Sequence, residues 1–357
     1  MATITPIILS GGSGTRLWPI STVQKPKQFL SLVSDKSIFS ETLARITNST
    51  RYGPPIIVGE EMHAALLEEE VGTFAKAGAT GARLIFEPSA RHTAPAIALA
   101  ALTLGDDDNL MLVMPSDHII RDLSAFEAAI DEAVPAAEDG WLVIFGIEPT
   151  GPETGFGYVR MGEALVSMPG VVKVERFIEK PGRQKAEAML ADGHYAWNAG
   201  IFLMRADRYM AALATHAPGI DKAVRASLVG VDLAADCIRP HSERFAACPP
   251  DSIDYAVMER ADRVAIVPVA CGWSDVGSWD ALAEIASADA HGNTVAGDAV
   301  LIDTRGCHVH ADGITVTASG IEDLIVIANG SHVMIVPKGQ SQDVKKIAEA
   351  LNARQDG

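Results

Sequence analysis

The chain has 357 residues, 48% of them apolar and 21% charged, the balance of a folded globular protein large enough to bury a substantial core. Its formal net charge of −17 excludes a nucleic-acid-binding surface, which needs a basic face. The cysteines Cys237, Cys248, Cys271 and Cys307 stand far apart without a C-x-x-C pair, which excludes a zinc ribbon or a disulfide framework.

Free thiols belong in a reducing compartment. The chain opens without a secretory h-region, and no apolar run is long enough to span a bilayer. The expectation is a cytoplasmic protein with no membrane partner.

In chain order, residues 4–10 read as a strand buried on both faces, as in a parallel sheet. It breaks into a glycine-rich turn at Gly11, Gly12 and Gly14, followed by Thr15, Arg16, Lys25 and Lys27. Several glycines after a strand let main-chain N–H groups approach an anion, and nearby cations would neutralise a polyphosphate. Ile38, Phe39, Thr42, Leu43 and Ile46 recur at helical spacing, residues 56–58 form a short strand, and 63–74 a helix. A strand over 84–86 leads to a helix with Pro95 in its first turn and Gly105 at its end. Residues 110–114 form a strand that empties into Pro115-Ser116-Asp117-His118, Ser124 and Glu127 make a capping box, and 141–147 are again a strand.

Strands alternating with helices predict a doubly wound, mainly parallel α/β sheet of Rossmann-like type. Ligands of such sheets lie beyond the carboxyl ends of the strands, so the glycine turn and the Ser116-Asp117 loop could share one crevice. The second half is less regular, with strands over 171–178, 201–204 and 264–269 and a helix start at residue 252. From about residue 291 five short strands are expected (299–303, 307–310, 314–317, 324–328 and 332–336), then a closing amphipathic helix. The domains expected are therefore residues 1–288 and a β-rich appendage over 289–357.

The opening loop is not a P-loop, because no Lys-Ser/Thr pair follows the glycines, nor a dinucleotide fingerprint, because Leu17 stands at the third glycine position. Kinase signatures are lacking too. A tight turn without a ligand remains the plain alternative. Among the carboxylates, Asp117 and Asp275 each close an apolar strand at the ligand edge, and two such groups suit Mg²⁺, which takes a few carboxylates plus phosphates and water. Glu179 and Asp254 are further acidic candidates, and the ten histidines show no ligand spacing.

Eight segments now combine: GGSGTRLWP with PKQFL, FEPSARHTAPAIALA, PSDH, PETGFGYV, FIEKP, WNAGIFL, SIDYAVME and WSDVGSWDAL. In this order they resemble the mannose-1-phosphate guanylyltransferase (GDP-mannose pyrophosphorylase) family, in its short form without an added isomerase domain. The resemblance implies a sugar nucleotidyltransferase fold with a β-helix-like tail, and the conversion of GTP and α-D-mannose 1-phosphate to GDP-mannose and pyrophosphate. It also implies that Leu9, Gly11, Gly12, Gly14, Thr15, Arg16, Glu87, Pro88, His92, Thr93, Ala96, Ser116 and Asp117 bind the nucleotide. Gly157, Glu179, Lys180, Asn198, Asp254 and Tyr255 would face the sugar phosphate. Arg16, Lys27, Asp117 and Asp275 would be catalytic, the last two holding Mg²⁺ or another divalent cation.

Two points stay open. His92 stands where this family more often has asparagine, and Lys25 either shares the task of Lys27 or flanks it. The alternatives are another sugar-1-phosphate nucleotidyltransferase, or a non-catalytic sugar-nucleotide sensor, which would have no need of Lys27 with two metal-binding carboxylates. The β-rich tail either carries homodimer contacts or covers the core.

Overall fold

A computed structural model describes residues 3–12, 14–76, 81–105 and 109–355, and the chain divides into two compact units. The first comprises Met1–Gly11, Thr42–Ser116 and Ile120–Trp273. Its strands are β1 (Ile4–Ser10), β2 (Ile56–Glu60), β3 (Arg83–Glu87), β4 (Leu110–Pro115), β5 (Leu142–Ile147), β6 (Tyr158–Ala164), β7 (Val172–Ile178), β8 (Tyr195–Arg205), β9 (Cys237–Ile238) and β10 (Val264–Pro268). They form one ten-stranded sheet in the order β5-β10-β7-β6-β8-β4-β1-β2-β3-β9.

Strands β4, β1, β2, β3 and β9 run parallel, and the near-continuous burial of β1, β2 and β4 is what a sheet covered on both faces requires. The second half of the chain adds antiparallel pairings, β8 with β4, β5 and β6, and β7 with β6 and β10. The sheet is thus mixed: the β4-β1-β2-β3-β9 half is parallel, and the other half combines these antiparallel pairs with a parallel β5–β10 pair. Because β5 also pairs with β8, the strands β5-β10-β7-β6-β8 close into a ring.

Helices α1 (Ile38–Ala44), α2 (Ala64–Lys76), α3 (Thr93–Thr103), α4 (Leu123–Glu138), α5 (Arg183–Asp192), α6 (Ala206–His216), α7 (Pro218–Ser227) and α8 (Ser242–Ala246) follow. The alanine-rich α3 is buried from Ala94 to Ala101, its small side chains allowing close approach to strands such as β1 and β2. The capping box expected at Ser124 is not the one used. Asp122 caps α4, its side chain accepting the Ala125 N–H, because an Asp before the helix reaches that donor first. The strand expected over 201–204 begins at Tyr195, so Trp197, Asn198 and Gly200 lie within β8.

The second unit comprises Gly12–Glu41, Asp117–Ile119 and Ser274–Gly357. It contains α9 (Trp279–Ile285), a four-stranded sheet of β11 (Thr294–Ile302), β12 (His308–Ser319), β13 (Leu324–Asn329) and β14 (His332–Pro337), and the closing helix α10 (Val344–Gln355). Four strands stand where five were expected, because residues 308–310 and 314–317 fall in one strand, β12, running through Gly313, with Cys307 just before it. Strands β11, β12 and β13 pair in parallel, and β14 returns antiparallel. At the β11 bulge a side chain on Gly297 would collide with the Ala311 carbonyl, so only glycine fits. Leu17, Ile38, Ile119, Trp279, Ile325 and Val344 share this unit's main core.

Candidate active site

Strand β1 brings Leu9 into register with Val58 and Pro115 and then releases the chain into the glycine loop. A Cβ at Gly11 or Gly12 would meet nothing within 4 Å, so the main chain there is open to a ligand. Gly12 and Gly14 adopt φ of 90° and 57°, and Gly14 caps the single 3-10 turn Thr15–Leu17. Leu17 anchors that turn in the core while Arg16 is exposed.

Lys27 opens a second 3-10 turn and is buried. Its ammonium lies 3.1 Å from Asp117 Oδ2 and donates to the main-chain oxygens of Asp275 and, at 3.4 Å, Val276. His118 Nε2 is 3.7 Å from Asp117 Oδ1. Burial pushes the Asp117 carboxyl up, but the charges of Lys27 and His118 and the Lys27 hydrogen bond outweigh it and hold the group below the ordinary Asp value. The Asp275 carboxylate accepts the Gly277 N–H at 3.0 Å. Lys25 is exposed, its N–H bonded to Thr22 Oγ1.

In the first unit, Ser116 is fully buried, donates its N–H to Leu9 O at 2.9 Å, and leaves its hydroxyl without a partner. Glu87 ends β3 with its side chain buried and Oε1 unpaired; burial, with Glu60 in register beside it, raises its carboxyl to about 8. Pro88 follows, and His92 caps α3 at φ 63° and ψ −169°, a strained backbone region otherwise almost confined to glycine. Residues 251–253 clasp the start of α3: Ile253 N–H donates to Thr93 Oγ1, and Ala94 N–H to Asp251 O. Ala96 turns into the core.

Asn198 ties together the remaining candidates. Its main-chain N–H donates to Gly157 O at 2.8 Å and its side-chain amide to Asp254 Oδ1 at 2.9 Å. Glu179 is paired with Lys180 at 2.7 Å, while its Oε2 lies 2.5 Å from where a Gly157 Cβ would stand and has no partner. Burial, reinforced by the Glu179 charge, raises Asp254 to about 6. Burial pushes the Lys180 ammonium down, but its bond to Glu179 and the charges of Glu179 and Asp254 push it up further. Tyr255 is exposed beside them, on the π-turn Asp254–Met258. Phe156 packs edge-on against Trp197 and Trp273 as an apolar wall in the same unit.

The chain therefore carries a paired lysine beside carboxylates, an open glycine loop and a polar cluster around Asn198, each on residues 5–292, which match the Nucleotidyl transferase family. Residues 297–351 match the MannoseP isomerase/GMP-like beta-helix domain. A protein of Escherichia coli K12 named mannose-1-phosphate guanylyltransferase is 42% identical over 354 residues, spanning 98% of this chain and 73% of that protein. The chain belongs to the nucleotidyl transferase family, among the mannose-1-phosphate guanylyltransferases.

A Thermus thermophilus structure described as a mannose-1-phosphate geranyltransferase superposes on this nucleotidyl transferase with a TM-score of 0.84 and 34% identity, over 99% of this chain and all of that one. A Helicobacter pylori structure described as mannose-6-phosphate isomerase gives 0.65 and 31%, over 76% of this chain and all of that one. Within the transferase, three participants were not singled out from sequence: Val276, Glu259 and the clasp at Asp251. Val276 and Asp251 act through main-chain atoms, which side-chain chemistry cannot flag. Glu259, whose carboxylate accepts the Glu179 N–H, was legible only as the last letter of SIDYAVME. Among the described residues, no helix is long and apolar enough to cross a membrane.

The donor chemistry of Asp117 and Asp275 fits a hard divalent cation. Both offer carboxylate oxygens from loops, and Asp117 is held ionised. Among the described residues no group of three or more His, Cys, Asp or Glu gathers, so a cation held here would draw other ligands from phosphate and water.

Proposed function

We propose that this chain transfers GMP from GTP to α-D-mannose 1-phosphate, giving GDP-mannose and pyrophosphate. The observation that carries the reading is the Lys27 ammonium, buried beside Asp117 and the loop that carries Asp275 and Val276. A phosphate oxygen of the sugar phosphate attacks the α-phosphorus in line, the bond from that phosphorus to the bridging oxygen breaks, and its electron pair leaves with pyrophosphate. The attacking oxygen is already anionic, so no side chain need remove a proton. Positioning and charge neutralisation do the work.

Leu9, Gly11, Gly12, Gly14, Thr15 and Arg16 would receive the triphosphate on open main chain and an exposed guanidinium. Glu87, Pro88, His92, Thr93, Ala96 and Ser116 would line the nucleoside. Gly157, Glu179, Lys180, Asn198, Asp254 and Tyr255 would hold the sugar phosphate, Lys180 meeting its charge and the carboxylates its hydroxyls. Lys27 would stabilise charge developing at the α-phosphorus. Asp117 and Asp275 would hold Mg²⁺, which when bound would offset phosphate charge against the acidic background. The four unpaired thiols support a cytoplasmic setting for this chemistry.

Pyrophosphate release tests this with GTP, ATP, UTP and dTTP crossed against mannose, glucose and N-acetylglucosamine 1-phosphates, with and without Mg²⁺. GTP with mannose 1-phosphate is expected to lead. Release only with UTP or dTTP overturns the base, and none with any pair leaves a sugar-nucleotide sensor. Mannose 6-phosphate joins the panel because one matched structure bears the name of its isomerase; its conversion without GTP would displace the transferase reading.

A further inference from the structure

Lys27 lies among oxygen acceptors alone: the Asp117 carboxylate and the main-chain oxygens of Asp275 and Val276. Two features of the sequence hold it there. Behind it, Gly14 leaves room for the lysine stem, since a Cβ at Gly14 would stand 3.0 Å from Lys27 Cβ and 3.1 Å from Cγ. In front, Val276 is fully buried at φ 45°, a region β-branched residues rarely enter. Successive carbonyls of an extended strand point to opposite sides, whereas this strained turn brings two of them to one ammonium. The Val276 N–H bonded to Ser274 Oγ and the Gly277 N–H bonded to Asp275 Oδ1 lock the turn.

A cup of carboxylate and carbonyl oxygens is the ligand set of a hard cation, here filled by the protein's own ammonium. A divalent ion on Asp117 and the ammonium repel each other at contact distance. We propose that Lys27 is the resident counter-ion of this cup in the free protein, and that a divalent cation enters by exchange with it as phosphate oxygens draw the ammonium away. Val276 is the positioning residue that shapes the cup. Metal and nucleotide then bind cooperatively, each easing the other's entry. The inference rests on the transferase reading for the phosphate that receives Lys27.

The test is Mn²⁺ titration of the full chain without nucleotide, read by the spin resonance of free Mn²⁺. Lys27→Met is expected to bind Mn²⁺ about tenfold tighter than wild type, as removal of a like charge at contact distance dictates. Adding Asp117→Asn to it should abolish the gain, and Val276→Gly, which relaxes the turn, should give part of it. Equal or weaker Mn²⁺ binding by Lys27→Met overturns the exchange. A second measurement needs no variant: in wild type, acetylation of Lys27 should be several-fold slower than that of exposed Lys25, and excess Mg²⁺ alone should accelerate Lys27 only. Unchanged Lys27 reactivity overturns the proposal as well. Pyrophosphate release by the same wild-type sample separates the two readings. Transfer with unaltered Mn²⁺ affinity in the variant defeats the exchange alone; tightened affinity without any transfer defeats the transferase reading alone.

Discussion

The Asn198 side chain donates to Asp254 Oδ1 at 2.9 Å while its own oxygen accepts the Gly200 N–H at 3.0 Å, so both ends of the amide are spoken for. That orientation leaves Asp254 as the acceptor, its carboxylate also bonded to Ser252 and its own main chain, and in the proposed sugar site this carboxylate would accept from hydroxyls. Burial and Glu179 hold Asp254 at about 6, well above the ordinary value of 3.8. The KM for sugar phosphate should therefore rise as pH falls below about 6, with kcat changing less. Asp254→Asn should flatten that profile and raise KM about tenfold or more, the worth of a hydrogen bond to a charged group. Because the folded pKa is raised, the ionised carboxylate costs stability above that pH, and the asparagine variant should melt higher at neutral pH. An unaltered KM profile would remove Asp254 from the sugar site.

Gly14 tests the lysine's seat from behind. A Cβ there would stand 2.6 Å from Ser21 Oγ and 3.0 Å from Lys27 Cβ, on a residue already at φ 57°. Gly14→Ala should cost about 1–2 kcal/mol from the left-handed backbone alone, measured by urea unfolding. Turnover should fall further than stability explains, because the lysine stem must shift. A variant with wild-type stability and turnover would show that the loop tolerates a side chain.

Lys27→Ala should lower turnover about 10²–10³-fold, by analogy with the loss of one preorganised oxyanion donor. The effect belongs in kcat more than in KM if the ammonium acts on charge that develops during transfer. Near-normal turnover would sink its role.

Legibility in the sequence followed the kind of atom that does the work. Strands β1 and β4 were readable because burial on both faces leaves apolar stretches such as Ile7-Ile8-Leu9 and residues 110–114, and the loops after them because glycine and aspartate interrupt these. Helix α5 was not, since RQKAEAMLAD buries only Ala186 and Met189 and shows little periodicity. Strand β8 was legible only from residue 201, because Trp197-Asn198-Ala199-Gly200 lacks the β-branched run that marks a strand. Lys27 and Asp117 stood out by residue type and position, whereas Asn198 entered only through the resemblance carried by WNAGIFL. Val276 could not stand out: its part is a main-chain oxygen aimed by an unusual φ.

Glu87 offers a stability test independent of turnover. Its carboxyl rises from 4.5 in the open chain to about 8 when buried, so the folded state favours the protonated form. Stability from this group is complete below the unfolded value and is lost as pH climbs toward the folded one. Glu87→Gln keeps the shape without the proton. Its melting temperature should exceed that of wild type by several degrees near pH 8 and match it near pH 4. Equal differences at both pH values would mean that the Glu87 pKa does not change on folding.

His308 makes the opposite prediction for the second unit. It is buried, its Nδ1 lies 2.7 Å from Thr294 Oγ1, and its Nε2 has no partner. Burial, then His310 and Lys338, lower it from 6.5 to about 4, against a smaller upward pull from Asp280. His310 is lowered too, by burial and despite Asp312. A depressed folded pKa on a base means that stability is full above the unfolded value and is lost as pH falls through the folded one, so the window is pH 6.5 to 4. The Trp279 ring lies 5.8 Å from His308 and 5.7 Å from His310, which makes its fluorescence a local reporter. Acid titration should disturb Trp279 emission within that window, and His308→Gln should reduce the pH slope of unfolding there. A slope unchanged by the substitution would place the acid sensitivity in another group.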